Sequence, residues 1–437
     1  MAEVVRLPFE GQEIELTLPE GWRVVGTHRP HPVAPLNDVE GALREALAVP
    51  IGRAPLAPNE LKGRRVLVVV DDVTRPTPVH RYFHVVLGWL ADHGVSLDDV
   101  MLMPALGIHR DMTEAEMAAK VGAENLAVLA WENHRPRDRQ AHVDLGVTSR
   151  GTPVLLNRRL VEADLIVCVG AIEPHLLQGF GGGLKMLLPG LAHADTIQAN
   201  HLVGASWQKF NYVGTPPEQS PMRLDLEEAV AKLGKPVFVV NAVLTERLLL
   251  HRFVCGDPVA AHREGVRTAQ AVYACDVPEP ADVAIVTSDP MNADLRQGMK
   301  CIGNVEPAVR EGGLVLSLLA CRNGIGDVAL PPKALPNRWL RRILRFIGPR
   351  RVLGFVDRVK KGAGVEERFM AHFSMQVVRK LQLVAWSPHL PAETGAKLGL
   401  FLQVATPRQL IEVGRRYAPK GATVRVFPHG GVTYPSP

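Results

Sequence analysis

Apolar residues in this chain come in short continuous runs rich in valine, leucine and isoleucine, and each run stops abruptly in polar residues. "RRVLVVV" (64–70), "DVMLMPALG" (99–107), "ADLIVCVG" (163–170) and "KPVFVVNAVL" (235–244) form a first series, with stretches of helical spacing between them. Runs this short that are apolar on both faces predict strands of a buried, mostly parallel sheet. Residues 3–19 alternate instead, which predicts an opening hairpin. A second series follows: "VAIVTSDP" (283–290), "GGLVLSLLA" (312–320), "KLQLVAW" (380–386) and "ATVRVFP" (422–428), the last running into "HGG". Between the series lies the proline-containing, linker-like "CDVPEPADV" (275–283).

The expected fold class is therefore α/β, with two α/β domains of mostly parallel sheets and an active site in the interdomain cleft. A chain of 437 residues exceeds a single core of usual size. The N-terminal domain is placed at 1–274 and the C-terminal domain, closing the cleft, at 275–437. The last strand is a candidate to pack back on the N-terminal domain.

Composition changes this picture little. Hydrophobic residues make up 46% and charged residues 22%, as in ordinary globular proteins. A net charge of +5 is a small excess for this length, so nucleic acid is not an expected partner, whereas an anionic small molecule is. The five cysteines are scattered and form no CxxC pair, which argues against a zinc ribbon or a disulfide framework. Acidic residues interrupt the opening stretch, and no run reaches the ~18 apolar residues of a membrane span. The expectation is a soluble, cytoplasmic protein without a membrane partner. "NRWLRRILRFIGPRR" (337–351) reads as an amphipathic helix with a solvated basic face.

Candidate chemistry gathers just after the strands of the first series. Asp71, Asp72, Thr74 and Arg75 follow the first, His109 and Arg110 the second, and His175 and Lys185 the third; His201 stands sixteen residues beyond Lys185. Parallel sheets bind ligands outside the carboxyl ends of their strands, so these residues converge on one crevice. Each has an ordinary reading too: "TRPTP" as a turn, and Thr113 with Glu116 as a capping box that starts a helix whatever His109 does. The segment "HLLQGFGGGLKMLLPG" (175–190) sets Lys185 in a glycine-rich loop, yet it is neither a P-loop nor a dinucleotide fingerprint. Leu184 stands where the P-loop needs glycine, and Met186 where it needs serine or threonine.

The strings "DDVTRPTP", "GIHRDMTEAEM" and "GAIEPHLLQGFGGGLKMLLPGLAHADTIQANH" closely resemble the nickel-dependent lactate racemase family in order and spacing. "NADLRQGMK" and "LACRNGIG" resemble its second-domain pattern. The resemblance implies a racemase or epimerase of 2-hydroxy acids, an isomerase, that removes the C2 hydrogen as hydride while a base takes the hydroxyl proton, through a 2-keto acid. It implies a nickel pincer nucleotide, the nickel complex of pyridinium-3,5-bisthiocarboxylic acid mononucleotide. Lys185 would be its covalent tether and His201 a nickel ligand, while His109 and His175 would be acid and base. Asp72, Thr74, Arg75 and Gln297 would surround the cofactor, and Arg75 and Lys300 the substrate, with Arg75 open between substrate carboxylate and cofactor phosphate. The glycines of the loop are expected to let backbone approach the ring and to offer N–H groups to the phosphate.

Expected partners are the 2-hydroxy acid and, transiently, the enzymes that make the cofactor. The chain departs from the lactate pattern at Gln178, Arg296 and Phe373; Gln178 and Arg296, as substrate-binding residues, point to an acid larger or more polar than lactate, one with a second carboxylate or a sugar acid. Two alternatives stand beside this reading: a nicotinamide-type dehydrogenase or other nucleotide-binding α/β enzyme, and a non-catalytic carrier of the nickel cofactor.

Overall fold

The structure is a computed structural model that describes residues 3–204, 211–326, 330–334 and 374–436, with isolated positions between 326 and 374. It opens as a hairpin of β1 (Val4–Phe9) and β2 (Gln12–Thr17), turned by Glu10 and Gly11 at φ 51° and 82°. Positive φ at both central residues is what a two-residue hairpin turn needs, and Gly11 adopts it without a Cβ penalty. The short strand β3 (Arg23–Thr27) follows.

Contacts divide the chain into two compact units. The first comprises residues 32–204 and 215–272. Its strands are β4 (Val66–Val70), β5 (Val100–Pro104), β6 (Ala130–Trp131), the separate hairpin β7 (His142–Val147) and β8 (Pro153–Asn157), then β9 (Leu165–Ala171), the small hairpin β10 (Pro174–His175) and β11 (Gly179–Phe180), β12 (Val237–Leu244) and β13 (Leu250–Gly256). The main sheet runs β13-β12-β9-β4-β5-β6, parallel except for the β12–β13 pair. β4 is central and buried at every position. Its alternate residues feed two cores. Val66, Val68 and Val70 pack with Tyr82, Phe83 and Leu90, whereas Leu67 and Val69 pack with Cys168, Leu184, Leu187 and Leu188. Each fully buried side chain of this size contributes about 1.5–3 kcal/mol. The apolar residues around Lys185 are thus anchors that fasten the glycine loop to the sheet.

The second unit comprises residues 3–31, 211–214 and the described residues from 273 onward. After β14 (Ala274–Cys275) come β15 (Ala281–Thr287), β16 (Val309–Leu318), β17 (Gln382–Trp386), β18 (Leu402–Val404), β19 (Thr423–Phe427) and β20 (Tyr434–Pro435). The sheet order is β18-β17-β16-β15-β19-β3, parallel throughout.

This corrects the sequence-based division at 1–274 and 275–437. The boundary between the units falls at Val272/Tyr273, but the opening residues and 211–214 count with the second unit. β19 pairs with β15 and with β3, a strand the sequence placed in 1–274, and β20 pairs with β14, so an early strand joins the closing ones within the second unit. The reason is apolar: Leu7, Leu16, Leu18 and Trp22 complete a core with Val283, Ile285 and Leu316. Among the described residues no helix is long and apolar enough to cross a membrane. The basic segment 337–351 and Phe373 lie largely or wholly outside the described residues.

Leu7→Ala is expected to cost about 2–5 kcal/mol as a core truncation. Hydrogen exchange read by mass spectrometry should show lost protection in β15 and β16, with β4 and β9 unaffected. The reverse pattern would place the hairpin in the other unit.

Candidate active site

The loop after β4 is shaped by its own acids. Asp72 Oδ1 accepts hydrogen bonds from Thr74 N (3.0 Å) and Thr74 Oγ1 (2.6 Å), and Arg75 N donates to Asp72 O (3.1 Å). Such a turn is what Asp and Thr two residues apart favour. Asp71 is buried and takes Lys120 Nζ at 2.8 Å and Thr77 Oγ1 at 2.5 Å. Burial pushes the Asp71 carboxyl up, more strongly than Lys120 and Thr77 pull it down. Lys120 also donates to Arg75 O (2.9 Å), and it comes from the helix Glu114–Val121, whose capping box of Thr113 and Glu116 is present as the sequence suggested. Asp71 therefore fastens the loop.

Asp72 is also buried, and its Oδ2 accepts from His109 Nδ1 at 2.5 Å. Burial pulls the Asp72 carboxyl up. The hydrogen bond and charge of His109, then Arg75 and Thr74, outweigh it and hold the group well below the usual carboxylate range. Asp72 stays ionised, so His109 carries hydrogen on Nδ1 and, when neutral, a lone pair on Nε2. That is the orientation of a general base steadied by a carboxylate.

The third strand end brings Glu173 and His175. Glu173 is buried and accepts from Arg75 Nη1 at 2.5 Å. Burial acts to lower the Arg75 guanidinium, but Glu173, Asp72 and Asp71 raise it on balance, so it is a permanent cation. Arg75 thus has a protein carboxylate as partner, one that neither sequence-based role for it included. In the β10–β11 hairpin, Leu177 N–H donates to His175 Nδ1 at 3.3 Å, so the ring hydrogen of neutral His175 sits on Nε2. The two histidines are held in opposite tautomers.

The glycine loop is fixed from behind. Gly181 N donates to Glu173 O (2.8 Å), and Gly181 O takes His262 Nε2 (2.9 Å). Arg223 Nη1 donates to Gly182 O (3.0 Å), and Gly183 N donates to Asn241 Oδ1 (3.0 Å). Arg223, Asn241 and His262 are fully buried, and burial, with Arg223 adding to it, pushes the His262 imidazole well down, so it is neutral. The expectation that these glycines offer N–H groups to a phosphate is corrected here for Gly181 and Gly183, whose N–H groups are engaged within the protein. A Cβ added at Gly181 would stand 3.5 Å from Glu173 Cγ and 3.9 Å from Lys185 Nζ. The bare α-carbon leaves open the space beside the lysine amine.

His201 lies on the helix Ala194–Gly204 and donates from Nδ1 to Ile197 O at 2.7 Å, which leaves the lone pair on Nε2. This backbone partner is of the kind that orients metal-binding histidines. Among the described residues no group of three or more His, Cys, Asp or Glu could hold a metal.

Gln178, in the turn between β10 and β11, is 1% exposed, and neither atom of its amide has a partner. In the second unit, Arg296 and Gln297 lie on the helix Leu295–Gly298, where Gln297 N donates to Asp294 Oδ1 (2.9 Å). Lys300 begins a separate short helix, Lys300–Val305, with Met299 between them. On one continuous helix residues three apart would share a face, and the break at Met299 divides Gln297 from Lys300. Gln297 is buried with Oε1 unpartnered.

Sequence reasoning missed Lys120, Glu173, Arg223, Asn241 and His262. The capping box hinted at Lys120, since it set the helix on which that residue lies; the others carry no local signal.

Residues 9–211 match the lactate racemase N-terminal domain family. The chain is 29% identical over 290 residues to a lactate racemase of Thermoanaerobacterium thermosaccharolyticum, covering 66% of this chain and 67% of that one. It is 29% identical over 296 residues to a lactate racemase of Lactiplantibacillus plantarum, covering 65% and 66%. Its structure resembles the lactate racemase apoprotein of T. thermosaccharolyticum (TM-score 0.82, 22% identity, 99% and 100% coverage). A protein of Thermotoga maritima is also similar (TM-score 0.64, 18% identity, 92% and 99% coverage). The fold is α/β, and the likeness to two lactate racemases supports an enzyme of the isomerase class. Residues 9–211 carry the N-terminal domain found in lactate racemases, and the fold is that of the lactate racemase apoprotein.

Two outcomes follow from the packing around the loop. Gly182→Ala puts a Cβ 2.8 Å from Ala171 O at φ +79°. It is expected to cost at least about 1–3 kcal/mol in backbone strain, read as a lower denaturant midpoint. His134 is buried with Nε2 on Ala192 O (3.0 Å), and burial lowers its pKa to about 4. Stability from keeping this ring neutral is full above the unfolded value near 6.5 and is lost as pH falls toward 4, by about 3 kcal/mol. His134→Gln should flatten that slope in acid denaturation.

Proposed function

We propose that this chain is a racemase or epimerase of 2-hydroxy acids that uses a nickel pincer nucleotide tethered at Lys185 and ligated by His201. The observation that carries the reading is the pair of histidines, His109 and His175, presented in opposite tautomers at two strand ends of one sheet. When bound, the nucleotide supplies a hydride acceptor and donor for C2 of the substrate. The space beside Lys185 Nζ at Gly181 and the Nε2 lone pair of His201 both fit such a group.

The chain's own residues handle the carboxylate and the hydroxyl proton. Arg75 commits Nη1 to Glu173, and its other donors are directed to the substrate carboxylate, since a guanidinium fork matches that group. His109 Nε2 accepts the hydroxyl proton as the C2 hydrogen departs, and ionised Asp72 stabilises the resulting imidazolium. The 2-keto acid is planar at C2, so hydrogen can return to either face. His175, with hydrogen on Nε2, donates a hydrogen bond to the substrate oxygen. To act as base for the other enantiomer its proton must shift to Nδ1, at the expense of the 3.3 Å Leu177 bond. Thr74 braces Asp72, and Gln297, Arg296 and Lys300 retain the cofactor and substrate roles that the family resemblance assigns.

A nucleotide-binding dehydrogenase is less well supported, because two of the three loop glycines have no N–H left for a phosphate. A bare carrier would not require the His109–Asp72 pair.

Protein from a host that makes the cofactor is expected to carry added mass on Lys185 and about one nickel per chain. It should racemise a chiral 2-hydroxy acid, followed by chiral chromatography. His201→Ala should lower nickel content while the mass on Lys185 persists. Asp72→Asn should reduce kcat/KM by about 10²–10⁴-fold. Unmodified Lys185 in active protein would overturn the reading.

A further inference from the structure

Gln178 closes the turn that starts at His175. The β10–β11 register sets His175 opposite Gly179, and Leu177 N–H bends back to His175 Nδ1 at 3.3 Å. Gln178 therefore lies between a residue bonded to the imidazole and the residue facing it. Its side chain is buried, and both Nε2 and Oε1 lack partners, a combination found at no other side chain among the described residues. A buried amide in this state is not neutral for stability, because each unmade bond forfeits the solvation it had in water. An apolar residue would fill the turn at lower cost, so the amide calls for a ligand.

We infer that Gln178 reads a hydroxyl group on the substrate beyond C2, so that the preferred substrates are 2-hydroxy acids carrying a further hydroxyl, the polyhydroxy (sugar-acid) class. This rests on the 2-hydroxy acid reading above. The choice among ligand groups follows from hydrogen-bond bookkeeping. A methyl group, as in lactate, satisfies neither end of the amide. A carboxylate only accepts, so it would leave Oε1 unpaired beside its own charge. An ammonium only donates, and leaves Nε2 unpaired. A hydroxyl does both from one atom, accepting from Nε2 and donating to Oε1. With several stereocentres in such a substrate, inversion at C2 alone makes the reaction an epimerisation once a third carbon is chiral.

The test uses cofactor-loaded protein and a matched pair of acids, 2,3-dihydroxypropanoate and lactate, followed at C2 by chiral chromatography. A site that hydrogen-bonds a substrate hydroxyl rejects the analogue lacking it, so kcat/KM should favour the dihydroxy acid by at least about 10²-fold. Gln178→Met, similar in length but apolar, should collapse that ratio toward one, and Gln178→Asn should restore part of it. Equal or better use of lactate by the unaltered protein overturns the inference even if Gln178→Met does not fold, and so does an unchanged ratio in Gln178→Met. A crystal structure with the dihydroxy acid bound and a water bridging the amide instead would overturn it as well. Inversion of neither acid, nor of any other 2-hydroxy acid tried, by protein bearing the mass on Lys185 overturns the racemase reading itself, and the inference with it.

Discussion

Two neighbouring carboxylates leave the end of β4 into a buried setting, and the site is organised by how each is compensated. An ionised carboxylate away from water is tolerated only with a partner. Asp71 finds Lys120 on the helix that follows the second strand end, and Asp72 finds His109 on the loop before that helix. The two pairs clamp both ends of one connection onto β4. Arg75 extends the arrangement to the third strand end through Glu173, two residues before His175. Charge compensation thus draws three loops together, and the histidines take their positions as a result. A mutation that neutralises one acid leaves a buried or half-buried cation without its counterion, so its effect spreads beyond the residue changed.

The glycine-rich loop reverses the usual relation between such loops and their ligands. In phosphate-binding loops, backbone N–H groups face outward to an anion. Here the backbone of Gly181–Gly183 faces inward, to Asn241, Arg223, His262 and the carbonyl of Glu173. Leu184, Leu187 and Leu188 then root the far side in the sheet core. A loop held on both sides can present one lysine side chain in a set direction, which suits a covalent attachment better than a mobile cradle would.

Much of this was legible in the chain. Apolar runs marked the principal strands, the capping box at Thr113 marked a helix start, and the polar residues after three strands marked the candidate site. These are local signals, each readable within about ten residues. What escaped was long-range. Glu173 meets Arg75 across 98 positions of sequence, and Arg223 meets Gly182 across 41, with nothing in either stretch to announce the pairing. β3 carried no strand signal, since none of its residues is buried and its neighbour in the sheet lies near the other end of the chain. Met299 separates Gln297 from Lys300 by interrupting what read as one helix turn.

The pairing of β3 with β19 also bears on how the protein is made. Roughly 400 residues separate the two strands. At ribosomal speeds of about 5–20 residues per second, β3 waits on the order of tens of seconds for its neighbour in the sheet. The intervening unit of residues 32–204 and 215–272 has its own core and can assemble meanwhile. Until β15 and β16 emerge, Leu7, Leu16 and Trp22 are nascent-chain apolar surface without a seat.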